Sequence, residues 1–568
     1  MNNSIISISI RLAEIANLKG IQHAVISPGS RSAPITIAFA RHPDIKTYVI
    51  PDERSAGYIA LGMSLKLDQP IGLICTSGTA AINLYPAIAE AYYQNVPLII
   101  FTADRPTEWI DQADGQTIHQ ENLYGKHVKK YFNLPSDQEH KDLQWHIDRI
   151  INEAINTAID PIQGPVHLNI PIREPFYPSN TDEYKFNFKL KIIETVRGDI
   201  DPDPDSLEVL SEIWNKAQNI LVVAGQSRSS IDLNKSLEEF ITTFEIPLIG
   251  DTIANIQGIY KNTITHHDLS LSSGGKTNGS LAPDLLITYG NSVISKNLKT
   301  FLRDVRPANH WHIQEMGYYR DTFQCLTQRI QLRPAVFFQK ALKIFSKKTR
   351  SAEYLKRWVR HEKNNEKIIK SFFNAKLEFS ELEAVHELIH SLPDQVNLHL
   401  ANSMPVRLAN LIGLLKPGIE VFANRGVSGI DGCLSTSVGI SAHSSRLNFV
   451  LIGDMAFFYD RNGLWHDIDP GNLRVIILNN HGGGIFRMIE GPSKQPELKT
   501  FFETDQKLKA ENTASDFQLD YYFCKDLSGL KINFPHLLVD DGKSKILEIE
   551  TNSQINKTIF DKYISQFK

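Results

Sequence analysis

Phe449-Val-Leu-Ile452 ends in Gly453-Asp454, and Val475-Ile-Ile-Leu478 ends in Asn479-Asn480, followed by Gly482-Gly-Gly484. Two apolar runs of strand length thus finish in hard oxygen donors. The spacing from Asp454 to Asn480 is that of one strand-helix-strand unit, which brings both side chains to the same carboxyl edge of a parallel sheet. A carboxylate, an amide oxygen and the Gly482 carbonyl would fill half an octahedron and leave room for two phosphate oxygens and a water. The arrangement predicts a seat for Mg²⁺, with Mn²⁺ as the alternative, carrying a diphosphate. A strand-end turn that merely favours Asp and Asn is the competing reading.

Similar apolar runs recur upstream. His23-Ala-Val-Ile-Ser27, Ile71-Gly-Leu-Ile-Cys-Thr76 and Val96-Pro-Leu-Ile-Ile-Phe-Thr102 are separated by helix-length segments, the pattern of a parallel doubly wound sheet. A second block has strands at Asn219-Ile-Leu-Val-Val-Ala224 and Asp284-Leu-Leu-Ile-Thr-Tyr289. A third opens with an amphipathic helix from about Glu381 through Leu392 and continues through Val396-Asn-Leu-His-Leu400 and Glu420-Val-Phe-Ala423 to the two runs above. The expected fold class is α/β, with three doubly wound parallel-sheet domains at 1–190, 206–345 and 375–568. The acidic, proline-broken stretch Arg197 to Asp205 reads as a linker. The charged stretch Arg350 to Lys370 reads as a solvated helix face.

At 568 residues the chain is too long for a single core, and 42% hydrophobic with 22% charged content is that of a soluble globular protein. A formal charge of −4 without a dense Lys/Arg tract argues against nucleic acid or an anionic membrane as main partner, so anionic ligands must be gathered locally. Cys75, Cys325, Cys433 and Cys524 are scattered, with no zinc spacing, and read as reduced, mostly buried thiols of a cytoplasmic protein. The amino terminus lacks a basic region followed by a long apolar core, and no apolar stretch approaches the ~20 residues of a spanning helix. Neither export nor membrane insertion is expected.

Asp52-Glu53-Arg54 precedes a helix rich in small residues, where an acid also favours the helix dipole. Thr76-Ser77-Gly78-Thr-Ala80 closes a strand and opens a helix expected over Ala81 to Tyr92, so amides and hydroxyls gather at a positive helix end. Arginines follow strands at Ser27-Pro-Gly-Ser30-Arg31, Ala103-Asp-Arg105-Pro, Asn402-Ser403-Met-Pro-Val-Arg407 and Asn424-Arg425-Gly-Val-Ser-Gly-Ile430-Asp-Gly. Singly each is an ordinary surface or ion-pair arginine. Four at strand ends imply ligands with several carboxylates, which arginine forks bind bidentately. Ala224-Gly-Gln-Ser-Arg228 has one glycine only, so the middle block lacks a dinucleotide fingerprint.

The outer blocks resemble the pyrimidine-binding and diphosphate-binding domains of thiamin-diphosphate enzymes. SPGSR, DERSAGYIALG, CTSGTAAINLYPA, ADRP, NSMPVR, NRGVSGIDG and GD…NNHGGGIF, in that order, are similar to the 2-succinyl-5-enolpyruvyl-6-hydroxy-3-cyclohexene-1-carboxylate synthases of menaquinone synthesis. That resemblance implies thiamin diphosphate as cofactor and, as substrates, 2-oxoglutarate, which loses CO₂, and isochorismate, to which the succinyl semialdehyde unit adds in a conjugate addition. Glu53 falls where the family's lone glutamate bonds the aminopyrimidine N1′ and lets the cofactor act as its own base. Thr76, Ser77, Gly78, Gly453 and Ile485 fall beside the cofactor, with Ile430 wedged between its rings and Asp454, Asn480 and Gly482 on the metal. Ser30, Arg31, Arg105, Gln116, Lys296, Ser403, Arg407, Arg425 and Phe486 form the implied substrate pocket, with Ser403 and Arg407 on 2-oxoglutarate.

Such sites lie between the first domain of one subunit and the third of another, so a homodimer or homotetramer is implied. Two positions depart from the family pattern: Lys296-Asn297 stands where Lys-Arg is frequent, and His481 replaces a third Asn. The segment Pro492 to Phe517 reads as a lid or a loop. The rival readings are another thiamin enzyme, such as an acetolactate synthase or 2-oxo acid decarboxylase, and a non-catalytic paralogue.

Overall fold

The apolar runs become strands because only a sheet covered on both faces can bury every side chain of such a run. Ile71–Cys75, Ile220–Ala224 and Leu473–Asn479 are buried throughout. The computed structural model describes residues 4–567 except 137–140, 175, 179–183, 187–189, 197, 199–201, 229, 259–262, 273–278, 347–351, 415 and 469.

The first sheet comprises β1 (His23–Ile26), β2 (Lys46–Val49), β3 (Ile71–Cys75), β4 (Leu98–Asp104), β5 (Tyr131–Asn133) and β6 (Val166–Pro171), in the order β2-β1-β3-β4-β6-β5. The second holds β7 (Ile220–Ala224), β8 (Leu248–Gly250), β9 (Leu285–Tyr289), β10 (Asn309–Ile313) and β11 (Gln328–Ile330), in the order β11-β10-β9-β7-β8. The third holds β12 (Asn397–Leu400), β13 (Glu420–Phe422), β14 (Asn448–Gly453), β15 (Leu473–Asn479), β16 (Asp520–Cys524) and β17 (Lys545–Glu550), in the order β13-β12-β14-β15-β17-β16. Every named pairing is parallel.

The first and third sheets have the same topology. In each, the chain leaves the first strand on one side and returns for the third on the other, which opens a crevice at the carboxyl ends of β1 and β3 and of β12 and β14. The loops singled out in the sequence stand at these crevices: Ser27–Arg31 after β1, Thr76–Gly78 after β3, Asn402–Ser403 after β12 and Gly453–Asp454 at the end of β14.

The first and third units dock through two helices of small residues, Glu53–Leu67 and Cys433–Ser441. A Cβ on Gly62 would lie 2.0 Å from the Thr436 carbonyl oxygen, and one on Gly439 would lie 2.1 Å from the Ile59 carbonyl oxygen. Both obstacles are backbone, which cannot swing aside. An exposed helical Gly→Ala change gains roughly 0.5–1 kcal/mol, but here the clash decides the sign. Gly62→Ala is expected to destabilise by about 1–3 kcal/mol, the cost of overpacking, read as a lower urea midpoint; an unchanged or raised midpoint would contradict this packing. The middle unit joins the third through Asn255, which accepts from Val421 N at 2.7 Å and donates to Val421 O at 3.0 Å.

Three expectations from sequence meet a different outcome. In place of one helix over Ala81 to Tyr92 there are two segments, Thr79–Asn83 and Tyr85–Gln94, because Pro86 has no N–H to continue the ladder. The charged stretch that reads as a solvated face forms the Glu353–Asn374 helix, with a buried stripe of Tyr354, Trp358, Glu362, Asn365, Ile369 and Phe372. Glu362 there accepts from the Thr265 and His266 amides at 3.0 Å and from His266 Nδ1 at 2.8 Å. Burial opposes charge on His266, yet the carboxylate beside it leaves its pKa raised. Residues 350–351 lie outside the described residues, as do four of the nine residues of the linker reading (197 and 199–201); its end is helical, with Asp203 capping the Pro204–Lys216 helix. Finally, the segment Pro492 to Phe517, read as a lid or a loop, contains helical segments at Leu498–Glu503 and Glu511–Asp516 and is anchored by buried Leu498, Ala510 and Ala514 as well as by polar groups. Arg487 Nε donates to buried Glu503 at 2.7 Å, Gly483 N donates to Glu503 O at 2.6 Å, and Gln506 N donates to His481 O at 3.0 Å.

Candidate active site

β14 and β15 are neighbours in register, Gly453 opposite Leu478, so Asp454 and Asn480 leave the sheet side by side. Asp454 starts the Asp454–Tyr459 helix and is 2% exposed. Burial pushes its carboxyl up to about 6, against the hydrogen bond from Gln506 Nε2 to Oδ2 at 2.7 Å. Asn480 donates through Nδ2 to Glu381 at 2.5 Å, while its Oδ1 is buried and has no hydrogen-bond partner. Burial lifts Glu381 to about 7, with the nearby Asp454 charge adding to the rise. His481 adopts φ 63° and Gly482–Gly484 follow it, turning the chain back over the strand ends.

These groups line a cavity of about 470 Å³. Of the residues read from sequence it gathers Ser403, Arg407, Arg425 and Ile430 with Gly453, Asp454, Asn480 and Gly482, and closes its apolar side with Ile485 and Phe486. Ser403 begins the Met404–Ile412 helix at φ 75° and ψ −130°, a region disfavoured for side chains, and Ser428 lies at φ 70°. Arg407 donates to the Ser403 carbonyl at 2.6 Å and Arg425 to Asn402 Oδ1 at 2.7 Å. Asn402 in turn donates to the Asn424 and Gly429 carbonyls at 2.7 and 2.6 Å, so it fixes the loop that carries Arg425 and Ile430. Burial lowers the pKa of both arginines, and the Arg425 charge adds to the effect on Arg407. Neither forms an ion pair among the described residues. Two desolvated guanidiniums facing one cavity form a receptor for carboxylates.

The first unit assembles its own cluster. The Asp52 carboxylate caps its helix by accepting from Ser55 N at 3.2 Å and also accepts from Asn462 Nδ2 at 2.8 Å. Arg54 stacks on the Tyr459 ring and donates to its carbonyl at 2.7 Å. Glu53 between them is half-buried, and its carboxylate has no hydrogen bond or ion pair among the described residues. Ser77 Oγ donates to the Gln116 carbonyl at 2.9 Å, and Gly78 N donates to Gln120 Oε1 at 2.9 Å. Gln116 is exposed at φ 54°. Thr76 Oγ1 is buried without a partner. Arg105 pairs with Asp114 at 2.8 Å. Arg31 is 6% exposed, donates to the Ile172 carbonyl at 2.7 Å and lies over the Phe176 ring; burial lowers its pKa, and the nearby Arg105 charge lowers it further. Ser30 beside it is exposed.

Within one chain the two clusters do not meet. No first-unit residue lines the cavity of the third unit, and Lys296, exposed at the start of the Lys296–Val305 helix, is outside it too. Asn297 is turned away, donating to the Asp268 carbonyl at 2.9 Å. Sequence reasoning missed Glu381 and Gln506. One reads as an ordinary acid at a helix start and the other as a loop glutamine, and only tertiary adjacency to Asp454 and Asn480 distinguishes them.

The residues present suit Mg²⁺ and a diphosphate. The orphaned Asn480 Oδ1, the desolvated Asp454 carboxylate and the Gly482 backbone are hard oxygen donors at one wall. Among the described residues no group of three or more His, Cys, Asp or Glu side chains is placed to hold a metal. A seat here therefore depends on amide and carbonyl oxygens. The four cysteines are free thiols, with Cys325 half-exposed and the others buried, and no described helix is long and apolar enough to cross a membrane.

Residues 8–125 match the family described as "Thiamine pyrophosphate enzyme, N-terminal TPP binding domain", and residues 211–400 match "Middle domain of thiamine pyrophosphate". Among solved structures the chain is similar to benzoylformate decarboxylase from Polynucleobacter necessarius, with a TM-score of 0.71 over 97% of this chain and 99% of that one; at 16% identity this likeness concerns the fold. Among curated proteins it is 43% identical to the 2-succinyl-5-enolpyruvyl-6-hydroxy-3-cyclohexene-1-carboxylate synthase of Cytophaga hutchinsonii, with 97% of each chain covered. It is 38% identical to that of Flavobacterium johnsoniae, with 99% of each covered. Likeness of this degree over nearly the whole length, on a three-sheet thiamin-enzyme fold, means that the chain belongs to the 2-succinyl-5-enolpyruvyl-6-hydroxy-3-cyclohexene-1-carboxylate synthase family.

Proposed function

We propose that the protein decarboxylates 2-oxoglutarate on thiamin diphosphate and adds the succinyl semialdehyde unit to isochorismate by conjugate addition. The product is 2-succinyl-5-enolpyruvyl-6-hydroxy-3-cyclohexene-1-carboxylate, an intermediate of menaquinone biosynthesis in the cytoplasm. The observation that carries this reading is the single cavity in which Arg407 and Arg425 face the Asp454–Asn480 oxygen set. A monocarboxylate substrate would not need that pair.

When bound, thiamin diphosphate supplies the carbon nucleophile. Asp454, Asn480 and the Gly482 carbonyl would hold Mg²⁺ and through it the diphosphate, with Gly453, Ile430 and Ile485 against the cofactor. Ser403 and Arg407 bind 2-oxoglutarate, and Arg425 and Phe486 complete the pocket on that side. Glu53, Thr76, Ser77 and Gly78 serve the pyrimidine, and Ser30, Arg31, Arg105 and Gln116 the isochorismate carboxylates, all from a second copy of the chain. Lys296 is assigned to the same pocket. On this reading 1–190 is the pyrimidine-binding unit, 206–345 the central unit and 375–568 the diphosphate-binding unit, and the smallest active species is a homodimer, with a homotetramer built from two. The free Glu53 carboxylate and the absence of first-unit residues from the cavity of the same chain support a shared site.

The protein's own groups mostly position and neutralise charge. Glu53 holds a proton at the pyrimidine N1′. The two arginines compensate the substrate carboxylates, and the Ile485–Phe486 side excludes water. Arg407→Ala is expected to raise the 2-oxoglutarate KM by the worth of a charge-assisted hydrogen bond, about 1.5–3 kcal/mol, with the isochorismate KM much less affected; an unchanged 2-oxoglutarate KM would remove Arg407 from that role. The reaction itself is tested by mass spectrometry of products formed with thiamin diphosphate, Mg²⁺, isochorismate and 2-oxoglutarate, with pyruvate as competing donor. The succinyl adduct is expected as main product. A pyruvate-derived adduct or simple aldehyde release as main product would overturn the assignment.

A further inference from the structure

Glu381 opens the Glu381–Ser391 helix, is 2% exposed and lines the same cavity as Asp454 and Asn480. Its amide donates to Asn556 Oδ1 at 2.9 Å, which fixes its backbone. An acid in a first helical turn normally faces solvent and favours the dipole. Glu383 in the same turn is partly exposed and serves that purpose, so burying a second acid calls for another reason.

The side chain points at Asn480. Asn480 donates through Nδ2 to the Glu381 carboxyl oxygen at 2.5 Å, and this bond turns Oδ1 the other way. That Oδ1 is the buried atom left without a partner. Gly484 presents no side chain to this amide; a Cβ there would come within 2.7 Å of Nδ2, so the glycine leaves room for the Asn480 side chain in this orientation. A rotated amide would offer its NH₂ group to a cation and lose a ligand.

We propose that Glu381 is a positioning residue of the metal seat, holding the Asn480 amide so that its oxygen faces the cation. The proposal rests on the assignment of Asp454, Asn480 and the Gly482 carbonyl to that seat. Outer-shell partners of this kind typically contribute 10- to 100-fold in metal affinity.

The test titrates Mn²⁺ into the full-length protein with thiamin diphosphate present and reads free Mn²⁺ by electron paramagnetic resonance. Wild type, Glu381→Ala, Glu381→Gln and Asp454→Ala are compared, and thermal melting without metal verifies the fold. Glu381→Ala is expected to weaken Mn²⁺ binding about 10- to 100-fold. Glu381→Gln, which keeps an acceptor oxygen but not the charge, is expected to recover most of that loss. Should the alanine variant lose its fold, Glu381→Leu carries the same prediction. Wild-type affinity in a folded Glu381→Ala or Glu381→Leu variant would overturn the proposal, and so would equal weakening in the Gln and Ala variants, since charge rather than amide orientation would then be what acts. If Asp454→Ala binds Mn²⁺ as wild type does, the seat itself is misassigned. A loss confined to Asp454→Ala leaves the seat standing and rejects only the role of Glu381.

Discussion

Glu53→Gln is expected to lower kcat by roughly 10²–10⁴-fold, the usual contribution of a positioned acid-base group, while thiamin diphosphate binding stays near that of wild type. The neighbours of Glu53 explain why so large an effect can come without loss of fold. Asp52 caps the helix and accepts from Asn462, and Arg54 stacks on Tyr459 and donates to its carbonyl, so both flanking charges are committed to structure. Glu53 alone carries no hydrogen bond or ion pair among the described residues, so its amide replacement removes a proton-holding group at little cost beyond a favourable charge at the helix start. Cofactor affinity should be set at the other end of the molecule, by the diphosphate and its metal. Isothermal titration with thiamin diphosphate and Mg²⁺ beside steady-state rates separates the two quantities. Full turnover in the variant would remove Glu53 from cofactor activation.

Asp454→Ala should act in the opposite way, on binding first. Asp454 is the one carboxylate among the three proposed ligands, and the buried wall around it offers no second acid except Glu381, which is engaged with Asn480. Thiamin diphosphate affinity in the presence of Mg²⁺ is expected to fall at least about 100-fold, beyond what loss of an outer-shell partner brings. Activity should return only in part at high metal and cofactor. Apoprotein stability should change little, because the change removes a desolvated acid, its pKa pushed up to about 6 by burial, but also leaves the Gln506 side chain without that acceptor. A variant that binds the cofactor as tightly as wild type would disprove the metal assignment.

Much of the third sheet is legible in sequence because its strands are bare apolar runs, as in Phe449 to Ile452 and Val475 to Leu478, each ending in residues that sheets do not favour in their interior. β17 escapes that pattern. Lys545 is 1% exposed and bonded to Asp541 at 2.9 Å, and Glu548 is fully buried, accepting from Asn479, Tyr521 and the Ala510 amide. Charges satisfied this way lie inside a strand yet read as a turn or surface. β16 escapes too, as a half-exposed edge rich in tyrosine. The site divides along the same line. Strand-end residues such as Asp454, Asn480, Ser403 and Arg407 are legible because topology brings consecutive strand ends to one crevice. Glu381 and Gln506 are not, since their place is set by how a helix start and a distant loop pack against that crevice.

On the proposed function, one active site takes Glu53 from one copy and Asp454 from another. The measurement is complementation between Glu53→Gln and Asp454→Ala, each inactive alone, dissociated and reassociated together or coexpressed with two tags and purified as the mixed species. A shared site predicts that the mixed dimer regains up to half the wild-type activity, because one of its two sites then contains both intact residues. A site built within each chain leaves one lesion in every site, and a mixed dimer no more active than its parents would rule out the shared site.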